Sequence, residues 1–97
     1  MVKYKLTHAA LDDISAIWEY TADRWSENQA DIYYKMLIMS FEKITIMPTV
    51  YVHRYDEIDN KLYGYKAGRH IIFYRILIDS IIIIRVLHES MDVKSHL

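Results

Sequence analysis

The apolar positions change period along the chain: early stretches repeat every three to four residues and late stretches are close to continuous. From His8 to Trp25, Leu11, Ile14, Trp18, Ala22 and Trp25 recur at helical spacing, with Asp12, Asp13, Glu19 and Asp23 on the other side. Thr7 can cap this helix, and Lys3 to Leu6 before it reads as a short strand. The stretch Ser26-Glu-Asn-Gln29 has the form of a capping box and predicts a second helix. Its stripe runs through Ala30, Tyr33 or Tyr34, Leu37, Phe41 and Ile44, and Pro48 forces an end near Met47. With almost no loop between them, the two helices should form an antiparallel hairpin that buries both tryptophans in the core.

After Pro48 the stretch to Asn60 has no period and reads as a loop with a short turn. Three β-like runs follow, Lys61 to Lys66, Arg69 to Ile78 and Ile81 to His88, separated by Ala67-Gly68 and Asp79-Ser80. The tail from Ser90 to Leu97 is polar and has the length of a frayed helical turn. The expected class is α+β in the order β-α-α-β-β-β. An N-terminal helical hairpin should pack on one face of a small, mainly antiparallel sheet, as one domain over residues 1–97.

A two-residue turn at Asp79-Ser80 would place Ile78 opposite Ile81, Ile76 opposite Ile83, Tyr74 opposite Arg85 and Ile72 opposite Leu87 on one face. The other face would carry Ile71, Phe73, Arg75, Leu77, Ile82, Ile84, Val86 and His88. Both faces are then largely apolar, and one helical hairpin covers one of them. The second is expected to stay open as the surface on which a partner binds, the alternative being closure by the 48–60 loop or the tail.

Charge narrows the function classes. Twelve Lys and Arg stand against thirteen Asp and Glu, which argues against a general nucleic-acid binder with a basic surface. Positive charge nevertheless gathers late: between Lys61 and Arg85 there are five basic residues and only Asp79 as an acid. With no cysteine, thiolate sites and disulfides are excluded. The five histidines show no metal-ligand spacing, so neither metal nor cofactor is expected. The start lacks the apolar region of a signal peptide, and the longest apolar run, Ile81 to Ile84, is too short to span a bilayer. A soluble, cytoplasmic protein without membrane contact is expected.

In that order and spacing, ALDDISAIWEYTADRW (10–25), QAD (29–31) with an aromatic at 33, GRHIIFYR (68–75), IRVLHESMD (84–92) and the final SHL resemble the ParE branch of the ParE/RelE toxin superfamily. The resemblance implies a toxin paired in a hetero-oligomer with a small ParD-like antitoxin, which is expected to bind the open face of the sheet. DNA gyrase is then the expected target, and DNA is met only through the antitoxin. The related RelE branch cleaves messenger RNA on the ribosome with a basic and aromatic cluster, and that activity is the alternative. Lys66, Arg69, His70, Arg75, Arg85 and His88 are the binding candidates, and no catalytic residue is assigned. By the turn register above, Tyr74 and Arg85 share one face while Arg75 and His88 share the other, so a nuclease cluster would not converge. Arg75 and Arg85, inside apolar strands, are expected to pair with acids, and His88 to be hydrogen-bonded at its strand end.

Overall fold

In the computed structural model, which describes residues 3–50 and 52–97, two long helices lie on one face of a five-stranded sheet. The elements are β1 (Lys3–Leu6), α1 (His8–Arg24), α2 (Glu27–Ile46), β2 (His53–Arg54), β3 (Tyr63–Ala67), β4 (His70–Ile76), β5 (Ser80–His88) and α3 (Val93–His96). The α+β class and the helical hairpin are as expected. The Thr7 hydroxyl accepts from the Ala10 N–H at 3.0 Å, and the Ser26 hydroxyl accepts from the Gln29 N–H at 3.0 Å. The second helix stops at Ile46, with Met47 as its C-cap before Pro48.

Strand order is β1-β5-β4-β3-β2, with β1 parallel to β5 and all other pairs antiparallel. The periodic stripes of both helices, through Ala10, Ile14, Leu37, Phe41 and Ile44, meet Ile72, Tyr74, Ile81, Ile83 and Val86 in the main core. Each fully buried large side chain there contributes about 1.5–3 kcal/mol of transfer free energy.

The β4–β5 register differs from the expected one. Ile76 pairs with Ile81, Tyr74 with Ile83 and Phe73 with Arg85, so Ile84 has no partner in β4 and forms a bulge. The hairpin turn is also shifted by one residue: inside the Ile76–Ile81 pair the Leu77 N–H donates to the Ser80 carbonyl at 2.8 Å, so Ile78-Asp79, not Asp79-Ser80, forms the tip. Because side chains alternate with a period of two, the extra residue reverses the phase of β5 beyond Ile84. Ile81, Ile83 and Val86 therefore all face the helices, whereas Arg85 falls opposite Phe73 on the other face.

The second face does not stay open. Leu62, Phe73 and Leu87 form a second buried cluster, flanked by Tyr55, Ile58, Ile71, Ile84 and Val93. The loop between Val52 and Leu62, with the tail, supplies the cover, so the expected open face for a partner is corrected to a closed one. Gly64 makes this closure feasible: a Cβ there would come within 2.5 Å of the Tyr55 ring and 3.1 Å of Ile71. Tyr55 stands edge-on to Phe73, with ring centroids 5.1 Å apart.

Candidate functional site: a groove beside the open edge of β5

Strand β1 pairs with β5 only from Ser80 to Ile83, so the rest of β5 is an unpaired edge. Beside that edge, bounded by α1, the start of α2, the β3–β4 turn and the tail, lies a groove of about 1120 Å³. Four of the six candidates, Arg69, His70, Arg85 and His88, line it. The bulge is what brings His88 to the side of His70 and Tyr74, where the expected register had placed it on the opposite face.

Tyr33 of α2 holds the turn end of the groove. Its hydroxyl accepts from the Arg69 N–H at 3.0 Å and is hydrogen-bonded to His70 Nδ1 at 2.6 Å. Gly68 lets the ring come this close, since φ is +60° and a Cβ would lie 2.8 Å from the hydroxyl. His70 also meets His88 edge to face at 5.3 Å. Burial first, and the neighbouring His88 second, lower the pKa of His70 to about 4, so its ring is neutral at neutral pH. His88 Nδ1 is 2.7 Å from the Ser90 hydroxyl and accepts from the Ser90 N–H, the expected strand-end histidine.

At the centre, Asp13 of α1 receives Arg85 through both carboxylate oxygens, at 2.7 and 2.8 Å, and accepts the Val86 N–H at 2.9 Å. One aspartate thus neutralises an arginine and covers an exposed strand edge. Side-chain exposure is 22% for Arg85 and 13% for Asp13, so this pair is screened less than the surface pairs. The hydrogen bonds that Arg85 donates to Asp13, ahead of that carboxylate's charge, push the Arg85 pKa up. A third guanidinium nitrogen of Arg85 donates to the carbonyl of His96 and ties down the tail.

The remaining candidates sit apart from this centre. Lys66 and Arg69 share Glu89 at 3.1 and 3.4 Å, and the Lys66 hydrogen bond is the first cause holding that carboxyl below its usual range. Arg75 is separated from the groove on the far face, where it pairs with Asp59 and donates to the Asn60 carbonyl. The expectation that both strand arginines pair with acids is met.

Sequence reasoning missed two groove residues. Trp25, expected in the core, is 71% exposed and lines the groove with Ile17 and Tyr20. It follows the last residue of α1 and precedes the cap of α2, so the helical phase that aligned it with Trp18 no longer applies. Asp13 was grouped with the solvated acids. It stands three residues after Ala10 and four before Ile17, on the flank of the buried stripe, and that spacing was the available signal.

The groove thus combines an apolar, aromatic end with a hydrogen-bonding end whose arginines already have carboxylate partners. It is equipped for recognition of a chain segment. Among the described residues no group of three or more His, Asp or Glu side chains is arranged to hold a metal, and no helix is long and apolar enough to cross a membrane.

The family model described as ParE toxin of type II toxin-antitoxin system, parDE, matches residues 4–93. Toxin ParE1 of Caulobacter vibrioides is 37% identical over 100 residues, covering 100% of this chain and 99% of that protein. Toxin ParE1 of Mycobacterium tuberculosis is 34% identical over 96 residues, covering 98% and 97%. Among solved structures, a chain of the chromosomal ParDE system from P. aeruginosa superposes with a TM-score of 0.79 at 16% identity, over 91% of this chain and 96% of that one. A chain of the RelBE2 toxin–antitoxin complex from Mycobacterium tuberculosis gives 0.62 at 16% identity, over 91% and 98%. At such identities the likeness is one of fold.

Proposed function

We propose that this chain, which belongs to the ParE toxin family of type II toxin–antitoxin systems, works as a single cytoplasmic domain over residues 1–97 that inhibits its target by binding it. DNA gyrase is the target in this reading, as the family resemblance implies. A ParD-like antitoxin silences the toxin by filling the groove along β5 in a hetero-oligomer, and DNA is contacted only through that antitoxin.

The observation that carries the binding reading is the state of the cations. Arg85 is closed off by Asp13 and His96, Arg75 by Asp59 and Asn60, and Lys66 and Arg69 share Glu89. A phosphate-cleaving centre gathers several free cations around developing charge, whereas here Arg75 and Arg85 are engaged and the Lys66–Arg69–Glu89 cluster leaves a single positive charge in surplus. The shape of the groove, a long cleft with aromatic and apolar side chains and a strand edge, supports a protein segment as its occupant.

Ribosome-dependent cleavage of messenger RNA is the competing reading, and the convergence of two arginines and two histidines in the groove speaks for it. Overexpression distinguishes the two. Filamentation and DNA-damage signalling, with loss of supercoiling by purified gyrase on adding the purified chain, are expected. Cuts mapped to ribosome-bound messages, with gyrase unaffected, would replace gyrase inhibition by the nuclease reading. Growth without any toxicity would mark the chain as an inactive relative. Co-expression with the protein of the adjacent gene is expected to give a stable complex that abolishes toxicity.

A further inference from the structure

The groove is chemically two-ended. Ile17, Tyr20 and Trp25 form an apolar end, and the β3–β4 turn with the end of β5 forms a cationic one. Asp13 is the only acid among the described residues lining it, and Arg85 with the Val86 N–H already occupies both its oxygens. Just outside, Glu89 serves Lys66 and Arg69 together, so one carboxylate stands between two cations. The corner keeps one positive charge in surplus, on an Arg69 side chain that is 79% exposed. His70, whose Nδ1 is hydrogen-bonded to the Tyr33 hydroxyl, puts its ring beside Arg69 in the lining of the groove.

We propose that the Arg69–His70 corner is a carboxylate-binding site and that the occupant of the groove is an amphipathic, acidic protein segment. One of its Asp or Glu side chains meets the Arg69 guanidinium beside the His70 ring, while its apolar side chains lie on Ile17, Tyr20 and Trp25. This deepens the reading of the groove as the antitoxin site and rests on it. The charge balance favours such an occupant: a guanidinium takes a carboxylate through two N–H groups, and Glu89 retains Lys66 when Arg69 turns to the partner, so no charge is left unpaired. An RNA strand would meet only one surplus charge along a groove that is otherwise neutral and apolar.

The test uses the full chain and the antitoxin encoded beside it, each purified and then titrated. Arg69→Glu is expected to weaken the complex by about tenfold to a hundredfold, the range for reversing one end of a desolvated charge pair. Changing one Asp or Glu of the antitoxin to Arg is expected to restore most of that loss against Arg69→Glu and to weaken binding to the unaltered chain. The wild-type affinity should fall as salt rises from about 50 to about 500 mM. That measurement decides the matter if Arg69→Glu fails to fold. A complex that forms but ignores Arg69→Glu, that no charge swap rescues, or that is flat in salt overturns the carboxylate site while leaving the antitoxin reading intact. If the wild-type pair forms no complex, or if the groove is instead closed by a second copy of this chain or by poly(U) RNA, the antitoxin reading fails and the inference falls with it.

Discussion

The two faces of the sheet are closed by different kinds of structure. On one, helices of 17 and 20 residues lay periodic stripes over Ile72, Tyr74, Ile81, Ile83 and Val86. On the other, an aperiodic loop and a four-residue helix set Tyr55, Ile58, Leu62 and Val93 over Phe73 and Leu87. Both cores are built mainly of apolar and aromatic side chains, yet the first cover is held by its own backbone ladder and the second mainly by the side chains it buries. Opening the loop face should therefore be a local event and opening the helix face a global one.

Two truncations test that contrast at its widest. Phe41→Ala removes a fully buried ring from the helix-covered core and should cost about 4 kcal/mol in denaturant unfolding, with amide exchange accelerated throughout. Leu62→Ala removes the buried anchor of the loop and should cost about 3 kcal/mol, with the fastest exchange confined to residues 52–62 and their β3 partners. Equal, global acceleration in both variants would show that the two covers form one cooperative unit.

The next largest effect lies where the faces meet. Asp13, on the helix side, binds an arginine whose strand position belongs to the loop side. Asp13→Asn keeps the shape, removes the charge that neutralises Arg85 and weakens the acceptor for the Val86 N–H. A loss of about 2 kcal/mol is expected, below the full cost of breaking a buried pair because Arg85 is partly exposed. Calorimetry on this variant and on Arg85→Gln measures it. If the double variant loses the sum of the two single losses, the residues are not coupled and the joint is incidental.

These same places mark how far the sequence could be read. The α2 stripe, both N-caps, the stop before Pro48 and the expectation of a sheet after Asn60 are local signals, and the structure repeats them; the α1 stripe is displaced, with Ala10 and Ile14 buried and Leu11 and Trp25 exposed. The face assignments of Arg85 and His88 required the bulge at Ile84, which depends on pairing across strands and leaves no mark in an unbroken run of isoleucines. The loop cover was legible only as the lesser alternative, because Tyr55, Ile58 and Leu62 follow no period and find their places only against a sheet already formed. The groove was legible as a set of residues and illegible as a place. Arg69, His70, Arg85 and His88 could be singled out by type, whereas Tyr33, Asp13 and Trp25 acquire their roles from tertiary geometry.

A smaller effect separates the groove wall from both cores. In the unfolded chain His70 takes its proton near pH 6.5, while in the folded chain it does so near 4. Between those values the unfolded state binds the extra proton, so the contribution is fully present above about pH 6.5 and is lost as the pH falls toward 4. After a discount for the partial exposure of the ring, a decline on the order of 1–2 kcal/mol is expected over that window. His70→Gln should flatten it, and an unchanged pH profile in that variant would assign the decline to other groups.

The smallest effect concerns the residue that most resembles core in the sequence. Ile78 ends the run ILI and was expected to pair with Ile81, but its place at the tip of the Ile78-Asp79 turn leaves it fully exposed. Its side chain buries nothing in this chain, so Ile78→Ser should shift stability by less than about 0.5 kcal/mol, against about 4 kcal/mol for Phe41→Ala. A measured loss above about 1 kcal/mol would mean that the hairpin closes at Asp79-Ser80 in solution, with Ile78 drawn into the ladder. The bulge at Ile84 would then be lost as well, and Arg85 would return to the face of Tyr74.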